Sequence, residues 1–123
     1  MKYICLGYYD KGQVDAMTEA ERNAMFDTCF EYDDHLRANG HYAGGEALRG
    51  PDTALTLAWK NGKVATTDGP YAETKELLGG ILILEARDIN QAVQLMAQHP
   101  ALRYSSIFEI RPTVELSELK KAR

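Results

Sequence analysis

The sequence has few of the residues that mark metal, redox and disulfide proteins. It contains two cysteines, Cys5 and Cys29, and three histidines, and neither residue type recurs at a ligand-like or redox-like spacing. We therefore expect no metal and no cofactor, with both cysteines buried as reduced thiols. It also lacks a Gly-x-Ser-x-Gly elbow, a Cys/His signature and a phosphate-binding glycine loop, which argues against covalent catalysis and nucleotide chemistry.

Long apolar runs and clustered positive charge are also scarce. The longest apolar stretch, 77–84, is too short to span a bilayer, and the run after Met1 ends at Asp10, before a signal sequence could be completed. The net charge is −4, and the only dense positive cluster lies at 120–123. We expect a cytoplasmic protein with no nucleic acid and no membrane as partner.

The apolar patterning predicts one domain, 1–115, followed by a polar C-terminal tail, 116–123. The order of elements is β-α-β, then a hairpin, then β-α-β, which is typical of a two-layer α+β fold of ferredoxin-like type. The predicted helices are 19–38 and 89–98. The predicted strands are 3–9, 41–48, 54–60, 63–67, 80–86 and 106–111.

Local signals define the ends of several elements. Thr18 and Glu21 form a capping box at the start of the first helix, and Asn39-Gly40 supplies a left-handed stop. Asp88 can cap the second helix, and Asn61-Gly62 is a favoured type I′ hairpin turn. Two helical stripes should lie on the sheet: Met25, Cys29, Tyr32 and Leu36 in the first helix, and Ile89, Ala92, Val93 and Met96 in the second.

Two helices can cover only one face of the predicted sheet. Strands 54–60 and 81–86 nevertheless carry apolar residues on both faces, and the nearly continuous apolar run of 80–86 is typical of a central strand. A second copy of the chain is the simplest cover for the other face, because a two-fold interface needs only one self-complementary patch. The sequence therefore predicts a homodimer.

Residues 67–80 combine an acidic turn, a charged segment and a double glycine between two apolar strands. The sequence Asp68-Gly69-Pro70-Tyr71, followed by Ala-Glu-Thr-Lys-Glu, resembles the DGPF-type motif of the YCII-related domain family, with tyrosine where that motif has phenylalanine. Weaker resemblances fall in order along the chain at 1–3, 44–48, 61–63 and 109–112. The resemblance implies a dimeric α/β barrel, in which two ferredoxin-like protomers pack their sheets face to face.

The resemblance suggests a catalytic pair. Shorter YCII relatives carry a histidine before leucine late in the first helix, suspected to act with an aspartate, and His35-Leu36 occupies that place. His35 and Asp68 are accordingly the candidate catalytic residues of a small-molecule acid/base enzyme, of lyase, isomerase or dehalogenase type, acting on a small organic acid. Most DGPF-type members have no assigned activity. The alternative is a non-catalytic ligand-binding or regulatory module linked to an extracytoplasmic-function sigma factor system.

Each candidate also has a structural interpretation. His35 could be a half-exposed helix histidine beside two aspartates, and Asp68 could simply accept hydrogen bonds within its turn. The candidate substrate-binding residues could be surface groups, since charged side chains near the motif can form local ion pairs and an edge-strand carboxylate can face water. These substrate-binding candidates are Glu46, Tyr71, Lys75 and Arg111.

Overall fold

The computed structural model describes all 123 residues. The strands are β1 (Lys2–Asp10), β2 (Tyr42–Ala47), β3 (Leu55–Lys60), β4 (Lys63–Asp68), β5 (Glu76–Glu85) and β6 (Ile107–Pro112). The α-helices are α1 (Lys11–Asp15), α2 (Glu19–Ala38), α3 (Ile89–Met96) and α4 (Leu116–Lys121), and two 3₁₀ turns cover Pro51–Thr53 and Pro100–Tyr104. None of the four α-helices has the length and hydrophobicity that a membrane span requires.

The main sheet is antiparallel and has the strand order β2-β5-β1-β6. Alternate residues of β1 and β5 point to the same side of the sheet. That face packs against α2 and α3. The α+β fold predicted from the sequence is confirmed, and β5 is central as expected. The buried cluster between the layers contains Tyr3, Cys5, Leu36, Leu82, Leu84, Ala86, Ala92 and Met96.

The opposite face of the main sheet is also apolar. Ile4 pairs with Ile83 and Leu6 with Ile81, so all four side chains point away from the residues that form the core. None of the four belongs to the buried cluster. This face is the surface that a second copy of the chain is expected to cover.

The ends of α2 agree with the sequence prediction. Glu21 N–H donates to Thr18 Oγ1 at 3.1 Å, and Thr18 N–H donates to Glu21 Oε1 at 3.0 Å, which completes the capping box. Gly40 has a φ of 78° beyond the last turn. Met25 and Leu36 of the predicted stripe are buried, whereas Cys29 and Tyr32 are partly buried.

The hairpin differs from the sequence prediction in its packing. The predicted type I′ turn is confirmed, since Asn61 and Gly62 have positive φ values of 53° and 78°. However, β3 and β4 form a separate two-stranded sheet, so Asp68 ends a strand of the hairpin and not a strand of the main sheet. The apolar alternation of β3 predicted a strand, but it carried no information about which surface the strand contacts.

Other boundaries also needed correction. Strand β5 begins at Glu76, four residues before the predicted start, because its pairing with β1 continues through a β-bulge next to Gly7. Helix α1 was not predicted, and the expected polar tail contains the short helix α4. In α3 only Ala92 and Met96 are buried, whereas Ile89 and Val93 are exposed because α3 contacts the sheet along a narrower stripe than expected.

Candidate functional site

A cavity of about 800 Å³ lies between α2 and the helix-covered face of the main sheet. Helix α2 contributes one wall through Phe26, Cys29 and Asp33. Strands β1, β2 and β5 contribute the facing wall, and the segment after α3 contributes His99. The cavity size and the apolar majority of its lining are typical of small-molecule sites.

Three glycines lie on the sheet wall of this cavity. Gly7 of β1 pairs with Gly80 of β5, and Gly45 of β2 lies nearby on the same face. A Cβ at Gly80 would lie 2.9 Å from the backbone oxygen of Glu46, and one at Gly7 would lie 3.2 Å from the Phe108 ring. These positions therefore accept no larger residue without movement of their neighbours. The sheet surface below α2 carries no side chains at these three positions.

His99 and Asp33 meet at the wall of the cavity. His99 Nε2 lies 3.2 Å from Asp33 Oδ1, and the His99 side chain is only 6% exposed. Asp33 extends from α2 and keeps 26% of its side chain exposed. The pair therefore combines a buried imidazole with a carboxylate that is open to the cavity.

Both ring nitrogens of His99 are engaged. Ala101 N–H donates to His99 Nδ1 at 3.2 Å, so Nδ1 acts as an acceptor and caps the 3₁₀ turn that follows. The proton of the neutral ring is then on Nε2, where it is donated to Asp33. Because no imidazole lone pair is free, Asp33 and not His99 is the member of this pair able to take a proton from a ligand.

Aromatic rings fix the position of the imidazole. The Tyr32 ring meets His99 edge-on at 5.2 Å, and the Phe108 ring lies 5.0 Å away. The Tyr32 hydroxyl donates to the backbone oxygen of Leu95, and burial raises the pKa of Tyr32. This packing holds the His99 ring in the orientation that reaches Asp33.

The two cysteines also line the cavity, Cys5 from β1 and Cys29 from α2. Burial raises the pKa of Cys5 to about 11. Burial also raises the pKa of Cys29, with a smaller contribution from the nearby charge of Asp33. Both are therefore neutral thiols at physiological pH, which does not favour them as nucleophiles.

The sequence-predicted catalytic residues lie elsewhere. His35 is exposed on α2, with its Nδ1 3.4 Å from the side-chain nitrogen of Asn39. Asp68 is exposed at the end of β4, in a turn held by a 2.8 Å hydrogen bond from Gly69 N–H to the Ala54 oxygen. Neither lines the cavity of a single protomer, and their joint role in catalysis stays a prediction.

The predicted substrate-binding residues are dispersed. Glu46 lines the cavity from β2, whereas Tyr71 is 93% exposed in the loop after β4. The Lys75 ammonium lies 3.7 Å from the Asp10 carboxylate. Arg111 pairs with Ile4 and so shares the face of the main sheet opposite the helices. Of these four residues, the structure brings only Glu46 to the cavity.

His99 and Asp33 were not identified as a pair from the sequence. His99 directly follows the predicted helix 89–98, and Asp33 is one of the two aspartates that precede His35. One signal was available, because Asp33 follows Cys29 by one helical turn and Phe26 by two, which places it on the same side of α2. No cluster of three or more histidine, cysteine, aspartate or glutamate side chains could hold a metal ion.

The fold and the cavity define a ferredoxin-like α+β domain with a small-molecule-sized site beneath its long helix. The family model of the YCII-related domain matches residues 1–117, and the chain belongs to this family. A search of curated proteins found no significant sequence match.

A similar solved structure is the 5-chloro-2-hydroxyhydroquinone dehydrochlorinase TftG from Burkholderia phenoliruptrix AC1100, in complex with 2,5-dihydroxybenzoquinone. The two chains are 16% identical, with a TM-score of 0.53 over 95% of this chain and 98% of that one. At this identity the likeness supports the shared fold.

Proposed function

We propose that this protein is a small-molecule acid/base enzyme whose active site is the cavity beneath α2. The observation that carries the proposal is the His99–Asp33 pair at 3.2 Å on the cavity wall. In this arrangement Asp33 is the general base, and His99 is a positioning residue that fixes the carboxylate by donating to Oδ1. The other carboxylate oxygen remains free to accept a substrate proton.

The lining indicates the class of substrate. Aromatic rings from both layers face the cavity, and Arg37 is its only lysine or arginine. The Arg37 guanidinium lies 4.4 Å from the Tyr42 ring centroid and pairs with Asp34 at 2.5 Å, near the cavity wall. A planar organic acid or phenol fits this combination, since its ring would contact aromatic surfaces and its anionic group would take the place of Asp34 at Arg37. TftG, with its quinone ligand, has the same fold.

The reaction type follows from Asp33 acting as a carboxylate base. Asp33 would remove a proton from a carbon or hydroxyl of the substrate, and the released electron pair would form a new double bond. In a dehalogenase or lyase reaction the leaving group departs with its own bonding pair, and Asp33 then returns its proton to water. This chemistry needs no nucleophile from the protein.

The assignment of His35 and Asp68 as catalytic residues is a separate hypothesis. It places a site at the loop after β4, with Tyr71, Lys75 and Arg111 as ligand-binding groups and Glu46 at the cavity. We also propose that the protein is a homodimer, because the second face of the main sheet is apolar. Its cytoplasmic location stays a prediction from the sequence.

A regulatory ligand-binding module is the second candidate function. The observation that favours it is that both ring nitrogens of His99 are hydrogen-bonded within the protein. An imidazole that caps a turn and pairs with a carboxylate can serve to stabilise the fold without taking part in a reaction. The module would bind the same class of ligand in the same cavity without converting it. Turnover therefore discriminates between the two functions.

The test compares turnover of small aromatic substrates by the wild type and two neutralising variants. Chlorinated hydroxyquinols and simple aromatic acids form the substrate panel. We expect Asp33→Asn to abolish turnover while retaining ligand binding, because the amide is isosteric but cannot act as a base. Asp52→Asn, an exposed residue outside the cavity, is the matched control and should retain full activity.

Undiminished turnover by Asp33→Asn would refute the role of Asp33. Ligand binding without turnover by the wild type would favour the regulatory module.

A further inference from the structure

The hairpin exposes an apolar face that nothing in its own protomer covers. Trp59 pairs with Val64 and Leu57 with Thr66, so these side chains share one face of the two-stranded sheet. Leu57 is 68% exposed, Trp59 72% and Val64 59%. An isolated two-stranded hairpin is marginally stable in water, and a contiguous apolar patch of this kind usually marks an interaction surface.

Positive charge lies at the tip of the hairpin. Lys60 and Lys63 pair with each other on either side of the Asn61-Gly62 turn, on the face opposite Trp59 and Val64. Their long side chains end at the hairpin tip, and neither forms an ion pair within the protomer. A partner for the hairpin should therefore offer apolar surface next to negative charge.

Helix α2 offers this combination. Phe26 and Phe30 are both exposed and stack with their ring centroids 6.2 Å apart. Asp27 and Glu31 lie beside them, exposed and without ion-pair partners. The helix as a whole carries six acidic side chains and two arginines. Its aromatic surface therefore complements the apolar face of the hairpin, and its acidic side chains complement the positive charge at the hairpin tip.

We propose that, in the homodimer, the hairpin of each protomer docks on α2 of its partner. This inference rests on the proposed dimer and not on the proposed reaction. The length of the hairpin permits it, because a six-residue strand spans about 20 Å, which is twice the spacing of about 10 Å between stacked sheets. A hairpin leaving one protomer can thus pass the partner's sheet and reach the helix layer outside it.

The docking has a consequence for the cavity. Phe26 and Phe30 both line it, so a hairpin seated on them would extend its wall with side chains from the second copy. The single protomer then contains an incomplete site. Two-fold symmetry repeats this contact, so the dimer has two completed cavities.

Trp59 is the only tryptophan and reports directly on the docking. We expect Trp59 of the dimer to be protected from iodide quenching, and its emission to shift to longer wavelength on dilution as sedimentation shows dissociation.

Lys60→Glu with Lys63→Glu should weaken the dimer about tenfold, because each hairpin would place like charges against α2. Lys120→Glu with Lys121→Glu, in α4, makes the same charge change away from the hairpin and should have no effect.

Charge exchange tests the landing surface. Asp27→Lys with Glu31→Lys should also weaken the dimer, and combining it with the hairpin reversal should restore wild-type affinity. A stable dimer in which Trp59 is quenched as freely as in the unfolded chain would overturn the docking alone. Failure of the combined variant to recover would overturn α2 as the landing surface, and a monomer at all concentrations would overturn the dimer and the docking together.

Discussion

The His99 imidazole and the Asp33 carboxylate lie 3.2 Å apart although 66 residues separate them in the chain. The contact joins the segment after α3 to α2 at the wall of the cavity. It therefore contributes both to the stability of the domain and to the geometry of its candidate site. Mutations can measure the contribution to stability separately from the contribution to the site.

Loss of the His99 ring should destabilise the protein. His99→Ala removes the donor to Asp33 and the cap of the following 3₁₀ turn, so we expect the free energy of unfolding to fall by about 1 to 3 kcal/mol. His99→Asn should be less harmful, because asparagine is also a good capping residue. Urea unfolding at neutral pH measures both variants. Equal losses for alanine and asparagine would show that the cap contributes nothing.

The glycine surface below α2 gives a second prediction. Gly80→Ala should cost about 1 to 3 kcal/mol of stability, because its new Cβ would meet the backbone oxygen of Glu46 at 2.9 Å. Gly79→Ala is the matched control. Its Cβ would meet the Tyr9 ring at 2.7 Å, and a side chain can move where a backbone cannot. Thermal unfolding should show a larger loss for Gly80→Ala, and the reverse order would contradict the backbone contact.

Much of the fold was predictable because its signals are local. The capping box at Thr18 fixed the start of α2, and Asn61-Gly62 fixed the hairpin turn, since each depends on residues within one turn of chain. The separate hairpin sheet could not be predicted, because alternation within a strand does not specify its partner surface. The His99–Asp33 contact was missed for the same reason: it depends on how α2 and α3 pack and not on sequence spacing.

Cys5 predicts a dependence of stability on alkaline pH. Burial raises its pKa from an ordinary value of 9.0 to about 11. The unfolded chain therefore loses the thiol proton first, so stability is fully present below about pH 9 and falls as the pH rises to about 11, by about 2 to 3 kcal/mol. Subtracting the unfolding free energies of Cys5→Ala from those of the wild type isolates this contribution. A difference that does not change with pH would mean that Cys5 is accessible to solvent.

The apolar second face of the main sheet predicts a stable dimer. An interface that covers Ile4, Leu6, Ile81 and Ile83 as part of a core should bury more than about 1,200 Å². Sedimentation at micromolar concentration should give twice the 13.7 kDa mass of the chain. Ile4→Lys, a charge placed on this face, should shift the equilibrium to monomer. A wild-type species of 13.7 kDa at all concentrations would refute the predicted dimer.

The most direct test of the candidate site is an NMR titration of the backbone amides with 2,5-dihydroxybenzoquinone. If the cavity is the binding site, the largest shifts fall on residues that line it, including Asp33, Gly80 and His99. Asp52→Asn should leave these shifts unchanged. Shifts confined to Asp68, Tyr71 and their neighbours, with none at the cavity, would contradict the account and place the ligand at the loop after β4.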